Sequence, residues 1–232
     1  MAMNQKLLRP KASGFNPKQI SGLALWMDSQ AYNASTGTWS DKSGNARDFS
    51  QGTVGNRPIV SAVTQNGRAI LEFDGSNDQL IHSSNFLQTA NSTMFAAFRR
   101  LAGNYGGVIA SANNSDSSPG ILVETSRGAI RGFNNAALAG LNAVDVFNIT
   151  SGTVTAGAVV LFTNGTQIST SAASGALDTS GTTTAIGSYR TTAANYLNGY
   201  IGEIIVYTRV LTALERRTVE GYLGKKWGIT VA

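Results

Sequence analysis

Apolar residues fall in short runs along the chain, broken by Gly, Asn, Asp, Ser and Thr. Ile20 to Trp26 is an alternating apolar stretch and predicts a strand. Short apolar runs bounded by turn residues also predict strands at Arg68 to Phe73, Thr93 to Arg99, Gly107 to Ala110, Gly120 to Glu124, Phe147 to Thr150, Ala158 to Phe162, Thr166 to Thr170, Thr183 to Gly187 and Gly199 to Tyr207. Asn164 and Gly165 stand between two of these runs and predict a tight hairpin, because both central positions of such a turn take positive φ. Asp28 to Gly55 is rich in turn residues and is punctuated by Tyr32, Trp39 and Phe49. It reads as a long ordered loop with short strands. No helical period appears until Thr212, which has capping-box spacing to Glu215. A helix is predicted from Ala213 to about Lys225, with Leu214, Val219, Tyr222 and Leu223 on its inner side and Lys225 and Lys226 at its negative end. Trp227 is expected to return to the body.

Strands in close succession, without helices between them, predict an all-β, two-sheet antiparallel sandwich closed by one C-terminal helix. Residues 1–18 carry Pro10 and Pro17 and no periodicity, and read as an arm. Residues 19–232 read as one domain, within the range of single β-sandwiches.

Composition sharpens this reading. Only 13% of residues are charged, about half the usual share, so the surface is polar but mostly neutral. Four of the basic residues, Lys6, Arg9, Lys11 and Lys18, lie in the arm with no acid among them, and without them the net charge falls from +5 to +1. The body therefore lacks the dense basic stripe that nucleic acid requires. Cysteine is absent and His82 is the single histidine, which excludes disulfides and cysteine-based zinc sites and leaves little for a Ser-His-Asp triad. No run reaches the ~18 apolar residues of a membrane span, and Met1 to Pro10 holds no apolar core of signal-peptide length.

Three blocks resemble the laminin-G-like, concanavalin-A-like jelly-roll domains of bacterial surface proteins and phage structural proteins. The first is Gly22 to Asp28 (GLALWMD) with Trp39 to Gly44 (WSDKSG). The second is Leu71 to Leu80 (LEFDGSNDQL). The third is Leu197 to Tyr207 (LNGYIGEIIVY), leading into Leu211 to Arg216 and Tyr222 to Trp227. Together they frame residues 20–229. The resemblance implies a jelly-roll fold, which hosts lectins, adhesins, glucanases and structural modules alike.

Candidate chemistry is sparse. Glu72 and Asp74 share one face of a strand and resemble the start of the Glu-x-Asp-x-x-Glu strand of glucanases. The position of the second Glu is Asn77, and Asp78 comes one residue late. Asp74 and Asp78 are expected to cap a turn with their own side chains, and no enzymatic activity is expected. Asp41, Asp48, Asp74 and Asp78 lie in loops and are candidate calcium ligands, with turn formation as the plainer role. Trp26 and Trp227 are expected in the core. Tyr32, Trp39, Tyr105, Tyr189 and Tyr196 are candidate contacts for a glycan or partner. Glu203, in an apolar strand, is expected to be structural and to need a partner, an arginine being one choice.

The expected function is non-enzymatic: a phage virion structural protein, in a capsid decoration or fibre, presenting a lectin-like sandwich outward and anchored to other virion proteins of capsid or tail by the arm (Lys6, Arg9, Lys11, Lys18). The alternative is a carbohydrate-binding adhesin module of a cell surface or tail fibre. Host-surface glycans are candidate ligands in both, and a homo-oligomer is left open. Neither nucleic acid nor membrane insertion is expected.

Overall fold

The computed structural model describes residues 14–101, 105–112, 120–124, 127–131, 138–140, 144–172, 176, 180–189 and 195–232. The anchoring candidates Lys6, Arg9 and Lys11 lie outside them. In chain order the strands are β1 (Leu23–Asn33), β2 (Thr38–Asp41), β3 (Phe49–Ser50), β4 (Ile59–Gln65), β5 (Arg68–Asp74), β6 (Leu80–His82), β7 (Ser92–Arg100) and β8 (Gly106–Ala112). They continue with β9 (Gly120–Glu124), β10 (Arg127–Arg131), β11 (Leu138–Gly140), β12 (Asn148–Val154), β13 (Ala158–Thr163), β14 (Thr166–Ala172), β15 (Thr183–Ile186) and β16 (Asn198–Tyr207). One helix, α1 (Ala213–Trp227), follows.

The described strands pair antiparallel throughout, as short runs with tight turns and no crossover helices predict. One sheet runs β1-β16-β7-β12-β13-β14, with β5 beside the first half of β16 and β4 outside β5. The other runs β2-β3-β6-β15-β8-β9-β10-β11. β1 pairs with β16 along most of its length and with β2 at its end, so hydrogen bonding passes from one sheet into the other. β10 and β11 lie over β12 to β14, which makes the assembly a two-layer jelly roll. The Asn164–Gly165 hairpin forms between β13 and β14, with φ of 49° and 82°.

Two cores follow from alternation on the first sheet. Leu25, Met27, Leu71, Phe73, Met94, Phe98, Ile204 and Val206 point between the sheets and meet Trp39, Phe49, Ile109 and Ile186. Trp26, Ile70, Phe95, Ile149, Ile205 and Tyr207 point the other way and meet Val219, Leu223 and Trp227 of α1. The sheet is thus buried on both faces, at about 1.5–3 kcal/mol for each large apolar side chain removed from water.

The helix differs from its prediction in one respect. Leu214 is 75% exposed, and the buried face is Arg216, Val219, Glu220, Leu223, Gly224 and Trp227. Two charged residues take the inner stripe because they neutralise each other. Arg216 Nη1 lies 2.5 Å from Glu220 Oε1, which also accepts from Ser151 Oγ at 2.5 Å, and the Arg216 guanidinium sits 3.6 Å over the Phe162 ring. Thr212 and Glu215 form the predicted capping box. The β4–β5 turn closes the far end: Gln65 donates to Trp227 O at 2.7 Å, and Asn66 and Arg68 both donate to Lys226 O at 3.1 Å.

β16 carries a bulge at Gly202, where pairing with β7 slips by one residue between Ile201 and Glu203. A slip of one residue exchanges faces. It turns Glu203 out of the inter-sheet core and towards α1. Gly202 itself has no room for a side chain, since a Cβ would come within 2.8 Å of the Trp227 ring. Glu203 is fully buried and accepts from Trp26 Nε1 (2.6 Å), Tyr222 Oη (2.8 Å) and Trp227 Nε1 (2.9 Å). Its charge partner is Lys226 Nζ at 2.7 Å, a lysine and not an arginine. Lys226 also reaches Asp28 at 2.9 Å, and Lys42 reaches Asp28 at 2.8 Å. Burial pushes the Asp28 carboxyl up, but the two lysines outweigh it and hold it below the usual carboxylate range.

The described part of the predicted arm is docked. Phe15 meets Tyr222 edge to face at 5.6 Å, and Tyr207 Oη donates to Pro17 O at 3.0 Å. Lys18 is exposed on the short 3-10 turn Pro17–Gln19.

Candidate functional site

α1 covers the outer face of the first sheet but stops short of one end. There the register aligns Ile59, Glu72, Tyr200 and Arg99 as cross-strand neighbours on β4, β5, β16 and β7. Beside Arg99 a cavity of about 450 Å³ opens between the ends of β7 and β12, the β13–β14 hairpin and residues 228–230. This volume falls within the range of small-ligand sites.

The floor of the cavity is Phe147, which stacks on Trp227 with centroids 5.8 Å apart. The walls are polar. Asn164 Nδ2 donates to Asn148 Oδ1 at 2.9 Å, Asn148 Nδ2 donates to Val146 O at 2.9 Å, and the Ile149 N–H donates to Asn164 Oδ1 at 2.8 Å. This chain of amides fixes the two Asn planes. Asp145 adopts a left-handed conformation (φ 59°), which Asp tolerates, and its N–H donates to Arg100 O at 2.9 Å. Its side chain is 65% exposed and lies 3.5 Å from Arg99 Nη1. The Arg99 guanidinium lies 4.2 Å over the Tyr200 ring, and its Nε is buried without a hydrogen-bond partner. An enclosed N–H without an acceptor is costly, while the guanidinium as a whole stays a quarter exposed beside the cavity. The site thus joins a carboxylate, a guanidinium and two fixed amides above an aromatic floor, a set that can bind vicinal hydroxyls from several directions.

Sequence reasoning did not single out Arg99, Asp145, Asn148 or Asn164 for this role. Asn164 signals only the Asn-Gly hairpin, and Arg99, Asp145 and Asn148 are isolated polar residues near strand ends, where turns place them too.

The predicted contact residues lie elsewhere. Trp39 is fully buried between the sheets, and its Nε1 donates to Asp28 O at 2.7 Å, so it is not a contact surface. Tyr189 is likewise fully buried, in a small cluster with Ala110 and Leu122 on the outer face of the second sheet. In both cases loop-like flanking sequence concealed a packed ring. Tyr105 is half-buried against Tyr189, with centroids 5.6 Å apart, and Tyr196 is half-buried where it pairs with Ser188. Tyr32 is half-buried and donates to Pro58 O at 2.8 Å. None of the five lines the cavity at Arg99.

The four aspartates do not form one calcium site. Asp41 accepts from the N–H groups of Trp26, Ser43 and Arg47 and from Ser43 Oγ, while Asp48 accepts from Asp41 N at 2.8 Å. Asp74 accepts from Ser76 N and Asn77 N, and Asp78 accepts from Asp74 N at 3.0 Å. Each pair serves its own loop, and among the described residues no three acidic or histidine side chains converge on a metal-sized point. Calcium needs six to eight oxygens. Burial, with the charges of Asp74 and Glu72, pushes Asp78 up to about 6. Glu72 accepts from Ser61 Oγ at 2.9 Å, and His82 is a satisfied surface ring between Asp48 O and Ser84 Oγ. Among the described residues, no helix is long and apolar enough to cross a membrane.

Residues 74–215 match the Concanavalin A-like lectin/glucanases superfamily, and the chain belongs to it. Its jelly roll is similar to that of a Trypanosoma rangeli sialidase solved in complex with sialic acid (13% identity, TM-score 0.63, covering 91% of this chain and 34% of that one). It is also similar to the binding domain of Paraclostridial Mosquitocidal Protein 1 (13% identity, TM-score 0.63, covering 92% and 56%). A third likeness is to the binding domain of Botulinum neurotoxin serotype G (13% identity, TM-score 0.63, covering 88% and 53%). The chain spans about a third of the sialidase chain and just over half of each toxin domain. No curated protein matches the sequence. At these identities the likeness is one of fold.

Proposed function

We propose that the chain is a non-enzymatic, lectin-like module that binds glycan in the cavity at Arg99. The observation that carries this reading is the partly exposed Arg99 guanidinium beside the exposed carboxylate of Asp145, set with Asn148 and Asn164 over Phe147 in one cavity. Two structures that share the fold are themselves described as binding domains. A non-catalytic role is supported by Glu72 and Asp74. Glu72 is tied to Ser61, Asp74 caps its own turn, and Asn77 stands where a second glutamate would be needed. A retaining glycosidase needs two carboxyls about 5–5.5 Å apart across the scissile bond.

The test is a glycan array read with and without calcium, then titration of a hit against Arg99→Met and Asp145→Ala. Loss of at least tenfold in affinity in both variants is expected. Absence of any hit, or a hit indifferent to both, overturns the reading. Hydrolysis of β-glucan by the wild type that disappears in Glu72→Gln overturns the non-enzymatic part.

The setting we propose is a phage particle, capsid or tail, with a cell-surface adhesin as the alternative. The sparsely charged surface and the basic segment from Lys6 to Lys18 support it. Phe15 and Pro17 pack on the body while Lys18 stays exposed, so the anchoring role is proposed for the basic side chains Lys6, Arg9, Lys11 and Lys18. Deleting residues 1–13 is expected to abolish incorporation into particles, and unchanged incorporation refutes the anchor.

A further inference from the structure

A second cavity, of about 490 Å³, lies along the exposed side of α1, between the helix, Gly14–Phe15 and the start of β5. Phe15 and Tyr222, meeting edge to face, form an aromatic wall. The rim is cationic. Lys226 is neutralised beneath it by Asp28 and Glu203, and Lys42 is a second cation on Asp28. Arg68 is held by its Nε at the helix end, on Lys226 O, and Lys225 is exposed. Neither Arg68 nor Lys225 has an acidic partner among the described residues, so the groove carries two uncompensated positive charges.

The floor adds an independent observation. Gly221 is exposed in the interior of α1, and a Cβ there would meet nothing within 4 Å. Glycine in a helix interior is unfavourable relative to alanine, and no packing neighbour accounts for it here. The helix backbone at Gly221 is therefore open to the cavity.

We propose that this groove is a second binding site, for a uronate-type saccharide. The sugar ring lies over Gly221 against Phe15 and Tyr222, and its carboxylate sits between Arg68 and Lys225. Aromatic faces accept the apolar side of a sugar ring, and a guanidinium with a neighbouring ammonium accepts a carboxylate through charge-assisted hydrogen bonds. The site stands apart from the Arg99 cavity and does not depend on it.

The test is isothermal titration of the full chain with tetragalacturonate and, in parallel, with neutral galactotetraose and a short poly-glutamate peptide. Tetragalacturonate is expected to bind at least tenfold more tightly than either. Lys225→Glu and the Arg68→Gln/Lys225→Gln pair are each expected to weaken it at least tenfold. Gly221→Leu is expected to weaken it equally while keeping or raising the thermal midpoint, which separates a filled floor from a damaged fold. Asp145→Ala, in the other cavity, is expected to leave it unchanged. Equal binding of the neutral tetrasaccharide, tighter binding of the peptide, or indifference to Gly221→Leu overturns the proposal.

Discussion

Replacing Glu203 with alanine removes one carboxylate and leaves four donors without it: Trp26 Nε1, Trp227 Nε1, Tyr222 Oη and Lys226 Nζ. Breaking a buried ion pair by deleting one partner costs about 3–5 kcal/mol. Each hydrogen bond lost to a charged acceptor adds about 1.5–3 kcal/mol when its donor stays buried. These do not sum, because one acceptor serves all four and because Lys226 keeps Asp28 at 2.9 Å. The net expectation is a loss of about 4 kcal/mol, a large part of the roughly 5–15 kcal/mol that holds a domain together. For a chain of this size that corresponds to a fall in Tm of about 8–16 °C. Glu203→Gln keeps one acceptor and is expected to lose about half as much. Glu203→Leu combined with Lys226→Met removes both buried charges and is expected to be less destabilised than the two single changes added together. Guanidinium unfolding at neutral pH, followed by tryptophan fluorescence, is the assay, since Trp26 and Trp227 both contact the deleted group. A loss below about 1 kcal/mol in Glu203→Ala, or strict additivity in the pair, would show that the network is not what fastens α1 to the sheet.

Gly202→Ala is expected to destabilise by about 1–3 kcal/mol, because its Cβ would fall 2.8 Å from the Trp227 ring; a neutral result in calorimetry means that Trp227 can move away freely. Thr212→Ala, which removes the Oγ1 that accepts from Glu215 N, is expected to cost about 1 kcal/mol, measured by the same unfolding curves. Asp78→Asn should depend on pH. The folded chain raises Asp78 from 3.8 to about 6, so the native state binds its proton more tightly and wild-type stability falls as pH rises through that window. Asparagine keeps an acceptor for the Asp74 N–H without the charge, so the variant should gain about 1–2 kcal/mol over wild type at pH 7.5 and lose that advantage by pH 4; a constant difference across the range refutes the assignment.

Short apolar runs between turn residues announced the sheets, and they are continuous in β7 and β16 because both faces of those strands are buried. β16, β7 and β12 appear where the pattern puts them, as do the Asn164–Gly165 turn and the capped start of α1. β4 escaped detection because it is an edge strand whose apolar residues Ile59, Val60 and Val63 stay exposed, so no buried side imposed a period. The inner stripe of α1 was misread at Leu214 because Arg216 and Glu220 look like surface residues until they are seen to pair. Trp39 and Tyr189 were misread for the opposite reason: their neighbours are turn residues, yet the rings themselves fill cores. The cavity at Arg99 was illegible because it is assembled from segments far apart in sequence, and only the pairing of β12 with β7 and with β13 brings Arg99, Asn148 and Asn164 to one end of the sheet.

Both candidate sites rest on groups that Glu203 holds. The floor of the Arg99 cavity, Phe147, lies on Trp227, and the wall of the Gly221 groove is Tyr222. Each of these supporting rings donates to the same carboxylate, from opposite ends of one helical turn and the next. Loosening that carboxylate therefore reaches both sites at once, whereas a charge change on either rim reaches only one. Glu203→Gln, assayed below its lowered Tm so that the chain stays folded, is expected to weaken glycan binding at the Arg99 cavity and tetragalacturonate binding at the groove together, by a similar factor of several-fold. Asp145→Ala is expected to affect the first alone and Lys225→Glu the second alone. If Glu203→Gln lowers Tm but leaves both affinities at their wild-type values, the rings that line the two sites are held by packing, and the bulge at Gly202 serves stability only.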